Sequence, residues 1–154
     1  MTLGKRTAVV VALLALTSFA RCLARTNEDD EKSIKALIQE AYIGGVYNDD
    51  DTQAMKIGFH EKSTVHQLHH QDLTIFSLQQ WTMQVDRMKL VRQEWNRRKT
   101  AEIVILDLEG NAAVARVDVL NNQVPELTDF LSLYKFQDGW RITNRIFTRH
   151  PLPD

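Results

Sequence analysis

Cysteine is nearly absent: the 154-residue chain has one, Cys22, close to its beginning. With no second thiol an intrachain disulfide framework is excluded, so the fold must hold by packing. Proline (three) and glycine (six) are sparse, which excludes collagen-like and low-complexity classes. Neither sign of charge is in excess, with 19 basic residues against 20 acidic ones, so a general polyanion binder is not indicated. No uncharged run reaches the roughly 20 apolar residues that span a bilayer. What is present, 44% hydrophobic and 25% charged, suits one globular domain.

Residues 1–24 read as a secretory signal peptide. Lys5 and Arg6 precede an uncharged stretch, Thr7 to Ala20, dense in Ala, Val and Leu, and small residues surround a cut after Ala24. Cleavage there removes Cys22, Lys5, Arg6 and Arg21, leaving 16 basic residues against 20 acidic ones. The expectation is a secreted or periplasmic domain over residues 25–154. It would have no thiol chemistry, no stable membrane span and no nucleic-acid partner.

In the mature chain, Ile34, Leu37, Ile38, Ala41 and Tyr42 fall on one face of a helix over 30–47. Asn48 to Asp51 marks a break and a new N-cap, followed by a short helix with Ala54, Met55 and Ile57 ahead of Gly58. Residues 59–76 predict two short strands around the polar turn His69 to Asp72. Ser77 and Gln80 form a capping-box pattern opening a third helix, with Leu78, Trp81, Val85 and Met88 on one stripe. The second half, 101–108, 112–120, 128–136 and 140–148, is rich in β-branched and aromatic residues and reads as strands joined by short glycine-bearing turns. Helices followed by antiparallel strands indicate an α+β fold.

A three-residue turn at 137–139 would pair Phe136 with Trp140, Tyr134 with Ile142, Ser132 with Asn144 and Phe130 with Ile146. All eight would then share one face. That aromatic face is expected to point at the helices, with Trp140 and Asn144 facing inwards and Arg141, Thr143 and Arg145 wet.

The element order and the closing segment TDFLSLYKFQDGWRITNRIF, residues 128–147, resemble the nuclear transport factor 2-like superfamily, in its lumazine-binding-like or polyketide cyclase-like branch. The resemblance implies a cone-shaped α+β barrel: three N-terminal helices packed on a curved antiparallel sheet around one pocket, commonly dimerising through the sheet. Superfamily members include isomerases, cyclases and binding modules, so the fold does not name a reaction. In the ketosteroid isomerases of the superfamily, Tyr42 resembles the phenolic oxyanion donor. Gln67, beside His66, stands at the general-base position, and Ser132 aligns with a second aspartate. Two of three positions depart from that pattern.

His60, His66, His69 and His70 do not form a zinc set, which needs three or four converging ligands. His66 and Tyr42 are candidates for proton transfer. Tyr42, His66, Trp81, Ser132, Tyr134 and Asn144 are the candidate ligand contacts, because buried polar atoms such as those of Ser132 and Asn144 need partners. The basic stretch Arg87–Lys99, interleaved with Leu90 and Trp95, reads as a connection bordering the pocket mouth. The expected function is an exported small-molecule-binding domain for a hydrophobic or aromatic ligand that the sequence does not name. The alternatives are a small lyase or isomerase using His66 and Tyr42, and a homodimerising or otherwise sheet-mediated interaction module.

Overall fold

The computed structural model describes residues 27–92 and 98–151. Residues 1–24, Cys22 among them, and residues 93–97 of the basic stretch therefore lie outside the described residues. Residues 27–33 are helical, with the Ser33 hydroxyl donating to the Asp29 carbonyl. Ile34–Asp154 forms a separate compact unit.

That unit begins with helix α1 (residues 34–48), whose second part, Ile38–Asn48, is wound as a π-helix. The Asp49 N–H closes it on the Gly44 carbonyl at 2.8 Å, five residues back. At Gly45 a Cβ would come 3.0 Å from Met55 Cγ and 3.1 Å from the Asp51 carbonyl, so the glycine admits the following segment close to α1; such π-winding is rare and is found frequently at functional sites. Ile34, Ile38, Ala41 and Tyr42 are buried, as the apolar periodicity predicts.

Asp51 caps α2 (Thr52–Gly58), its Oδ1 accepting from the N–H groups of Gln53 and Ala54. At Gly58 a Cβ would fall 2.1 Å from the Ala41 Cβ, so only glycine lets α2 end against α1. The Ser77–Gln80 capping box forms in both directions and opens α3 (Leu78–Arg92). Leu78, Trp81 and Val85 are buried, whereas Met88 is 46% exposed, so the buried stripe stops one turn earlier than its spacing predicts.

The strands are β1 (Phe59–His69), β2 (Asp72–Ser77), β3 (Lys99–Glu109), β4 (Ala112–Asn121), β5 (Val124–Phe136) and β6 (Gly139–Arg149). They form one curved, open sheet in the order β2-β1-β6-β5-β4-β3. All pairings are antiparallel except β1 with β6, which is parallel. Two edges, β2 and β3, remain, so the sheet is not a closed barrel. The three helices pack on one face. Asn48 ties the end of α1 to the start of β3 by bonding the Lys99 carbonyl at 3.0 Å and its N–H at 2.8 Å. The inner side of β4 is small and aliphatic: Ala113, Ala115, Val117 and Val119, all buried. Among the described residues, no helix is long and apolar enough to cross a membrane.

The β5–β6 hairpin differs from the sequence expectation in register and in face. Phe136 pairs with Gly139, so the turn is the two residues Gln137 and Asp138, with Gly139 at φ +119°. Trp140 therefore faces Lys135, and Ile142 faces Leu133. Thr143 is then an extra residue, a β-bulge, after which Ser132–Asn144 and Phe130–Ile146 pair as expected. The Thr143 hydroxyl donates to the Ser132 carbonyl within this bulge.

Because the side-chain period is two, one extra residue exchanges the faces of everything beyond it. Trp140 and Ile142 point at the helices, and so do Arg145 and Phe147. Asn144 and Ile146 point away. The stripe Phe130, Ser132, Tyr134 and Phe136 is thus the outer one, with Tyr134 50% exposed, and Leu127, Asp129, Leu131 and Leu133 form the inner one.

Candidate functional site

The strand face turned towards the helices is apolar over most of its buried area, and two ionic side chains are buried in it. Asp129, on β5, is 0% exposed and Arg145, on β6, is 5% exposed. Both sit opposite the π-helical part of α1, where Tyr42 and Tyr47 are five residues apart. A π-helix turns slowly enough to bring such residues onto one side, and their ring centroids lie 5.4 Å apart.

The four side chains form one hydrogen-bonded cluster. Arg145 Nε donates to Asp129 Oδ1 at 2.8 Å and to the Tyr42 hydroxyl at 2.9 Å. Arg145 Nη2 reaches the same Asp129 oxygen at 2.7 Å. The Tyr42 hydroxyl gives its single proton to Asp129 Oδ2 at 2.7 Å. In the 2.9 Å contact between the two hydroxyls, Tyr47 is therefore the donor. Protons run from Tyr47 to Tyr42 to Asp129, and the guanidinium closes the circuit. Rings surround the cation: Arg145 Cζ is 3.9 Å from the centroid of Phe147, 5.3 Å from Trp81 and 5.4 Å from Tyr42.

Burial and charge act against one another here. Burial pushes the Tyr42 phenol well above its ordinary range, helped by Tyr47 and opposed by Arg145, and it raises Tyr47 as well. Both are neutral phenols at physiological pH. Burial also raises the Asp129 carboxyl, opposed by the charge of Arg145 and by the Tyr42 hydrogen bond. For Arg145, burial alone would lower the pKa, but the negative potential of Tyr42, Tyr47 and Asp129 outweighs it and raises the value. With both phenols protonated, the balancing charge is that of Asp129. Its two oxygens accept from Arg145 and Tyr42 and donate to neither, as an ionised carboxylate does.

The six residues singled out from the sequence fall into two places. Tyr42 and Trp81 belong to the inner cluster, their rings 6.1 Å apart. His66, Ser132, Tyr134 and Asn144 lie on the opposite face of the sheet. There Asn144 Nδ2 donates to Thr64 Oγ1, which also contacts His66 Nε2, both at 3.1 Å. His66 borders a hollow of about 320 Å³ lined by Leu68, Leu73, Phe130, Ile146, Phe147 and Thr148.

Tyr42 and His66 are thus separated by the sheet, and a reaction needing both on one substrate has no geometry to support it. The carboxylate that meets Tyr42 is Asp129 rather than a group at Ser132, and Arg145, expected to be wet, is the cation of the cluster. Tyr47, Asp129 and Arg145 are site residues that the sequence reading does not single out. The legible signal was a lone acid, Asp129, on the otherwise aliphatic stripe Leu127, Leu131 and Leu133. Among the described residues, no three His, Cys, Asp or Glu side chains are grouped to hold a metal ion.

The raised phenols link stability to alkaline pH. Below about pH 10, the ordinary phenol value, folded and unfolded chains both keep these protons. Above it the unfolded chain loses them while the folded one holds them, so stability falls as pH rises. Tyr42→Phe should cost about 1–3 kcal/mol at neutral pH through its lost hydrogen bonds, and should flatten the alkaline fall. Urea midpoints measured on both sides of about pH 10 check this.

The family described as Putative lumazine-binding matches residues 29–148. No curated protein matches the chain. Among solved structures, a nuclear transport factor 2-like protein of unknown function from Shewanella baltica is 23% identical, with a TM-score of 0.63 over 80% of this chain and 96% of its own. Another, from Silicibacter pomeroyi, is 15% identical with a TM-score of 0.64, over 80% of this chain and 98% of its own. A putative aromatic ring hydroxylase from Novosphingobium aromaticivorans is 18% identical with a TM-score of 0.61, over 81% of this chain and 92% of its own. At these identities the likeness is one of fold. The fold is that of the nuclear transport factor 2-like superfamily, and the match over residues 29–148 takes in all three helices and six strands, so the chain belongs to the Putative lumazine-binding family.

Proposed function

We propose that the protein is a small-molecule-binding domain whose recognition groups are Tyr42, Tyr47, Asp129 and Arg145, walled by Trp81 and Phe147. The observation that carries this reading is the buried Asp129–Arg145 pair. A buried ion pair is a poor source of stability, because apolar residues of similar volume often serve equally well. Perturbed titratable groups gather at functional sites, and so do π-helical segments.

The family description supports ligands of the lumazine kind, planar heteroaromatic rings with N–H and C=O groups along their edges. Arg145 supplies donors and Asp129 an acceptor, the kinds of group such an edge pairs with, and Tyr47, whose proton goes to Tyr42 in the free protein, would turn that proton to the ligand. Tyr47 and Phe147 are the half-buried members of the cluster, so ligand access would involve movement of their rings. Asp129, already accepting from Arg145 and Tyr42, is not suited to act as a protonated acid, and no catalytic step is assigned to it.

Titration of the purified protein with lumazine, followed by tryptophan fluorescence, tests the reading. Saturable quenching is expected, weakened about tenfold in Tyr47→Phe, the loss of one buried hydrogen bond. Absence of saturable binding of lumazine to the unaltered protein contradicts it.

A second reading, compatible with the first, is self-association through the outer face of the sheet. Leu68, Leu73, Ile75, Phe130, Tyr134 and Ile146 are all exposed there, more apolar side chain than an isolated surface usually carries on one face. Export is proposed as well, from the basic residues and apolar run of residues 1–24. Native mass spectrometry of protein expressed with its own leader addresses both. A dimer of chains beginning at Arg25 is expected, with Ile146→Glu giving monomers. A monomeric wild type removes the dimer, and a retained leader removes the export proposal.

A further inference from the structure

Past the bulge, alternate residues of β6 point at the helices, and the last three of them are Arg145, Phe147 and Arg149. The Phe147 ring lies between two guanidinium groups in this series. Arg145 Cζ is 3.9 Å from its centroid and Arg149 Cζ 5.6 Å. The three side chains make a ladder from the closed interior to solvent: Arg145 buried, Phe147 half-buried, Arg149 exposed.

The two cations are not equivalent. Arg145 is committed, with its charge balanced by Asp129 and its Nε and Nη2 engaged by Asp129 and the two phenols. The Arg149 guanidinium has no carboxylate partner among the described residues and lies over the Phe147 ring. Nearby charges do not change the balance. Lys99 and Glu126 pair with each other, and Asp118, directed to the outer face, pairs with Arg116. His150 Nε2 contacts the Thr128 hydroxyl, whose proton goes to Asp118. Around Asp129 there are thus two guanidinium groups for one carboxylate, with both phenols protonated. The field of Arg149 reaches the interior, since it acts on both Asp129 and Tyr47.

We infer that the ligand of this site carries an anionic group, and that Arg149 receives it at the exposed end of this ladder; this rests on the binding reading above. The aromatic body of the ligand lies against Phe147, Tyr47 and the buried cluster. Its carboxylate, sulfonate or ionised enol takes the charge-assisted hydrogen bonds that the interior leaves unused at Arg149. A neutral ligand of the same shape leaves Arg149 in water and gains nothing from it. Arg145 does not take the anion, because that would leave Asp129 buried without its partner. Arg149 therefore determines specificity, and Arg145 positions the cluster.

The experiment compares two fluorescent dyes with one aromatic frame, anilinonaphthalene sulfonate and phenylnaphthylamine, which differ by the anionic group. The full-length protein should bind the sulfonate about tenfold or more tightly than the neutral dye, the worth of one hydrogen bond to a charged group. That preference should shrink as salt is raised and disappear in Arg149→Gln. Leu68→Asp, on the outer face, should leave it intact. Equal binding of the two dyes, or a preference that survives Arg149→Gln, overturns the anion inference while leaving a binding site in place. Loss of the preference in Leu68→Asp puts the dye on the outer face and overturns it too. If neither dye binds, the small-molecule reading fails together with it.

Discussion

An ionised carboxylate and a guanidinium, sealed between a sheet and three helices, set the terms for the rest of this molecule. Neither Asp129 nor Arg145 is tolerable alone at that depth, since removing one strands the other's charge in a poorly polarisable interior. Their partners must therefore be held in place. The Thr143 bulge turns Arg145 inwards, the register of β5 places Asp129 beside it, and the π-winding of α1 lays two phenols over the pair. Phe147, Trp81 and Tyr42 surround the cation with ring faces, which favours a guanidinium over an equally charged but strongly hydrated ammonium. Even the small inner side chains of β4 fit this picture: they line the sheet without intruding on the cluster.

The constraint also divides the molecule by face. On the inner side, Tyr42, Tyr47, Asp129 and Arg145 are each engaged by another member of the cluster. On the outer side, His66, Thr64 and Asn144 make a short polar relay among exposed aliphatic and aromatic side chains. The proposed function gives the two faces different tasks, recognition of a small ligand within and contact with another protein surface without. One strand serves both, because alternation on β6 places Arg145 and Ile146 on opposite faces. A substitution on β6 therefore acts on one task or the other according to its parity.

Much of the fold was legible from residue order. Period-3.6 burial found α1, the Ser77–Gln80 box found the start of α3, and glycine-bearing turns separated the strands of the second half. The hairpin was misread for a specific reason. Phe130, Tyr134 and Phe136 form the more aromatic stripe of β5, and aromatic area by itself points to that stripe as the core. The interior instead uses Leu127, Leu131 and Leu133, and the aromatic stripe lies outside. A bulge leaves little trace in composition, since Thr143 is an ordinary strand residue. Its single extra step was enough to exchange Asn144 for Arg145. Tyr42 was found because it sits on the apolar side of its helix. Tyr47 is not legible, because five-residue spacing makes neighbours only in a π-helix, which the residue pattern of 38–48 does not announce.

The central claim is that the Asp129–Arg145 pair is retained for recognition and not for holding the fold together. A double-substitution cycle with Asp129→Leu and Arg145→Met, read by urea denaturation and by lumazine titration, tests it most directly. Each single change should cost about 3–5 kcal/mol, and the double change should regain most of that while losing lumazine binding. A double variant that is stable and binds lumazine as the unaltered protein does would contradict the account.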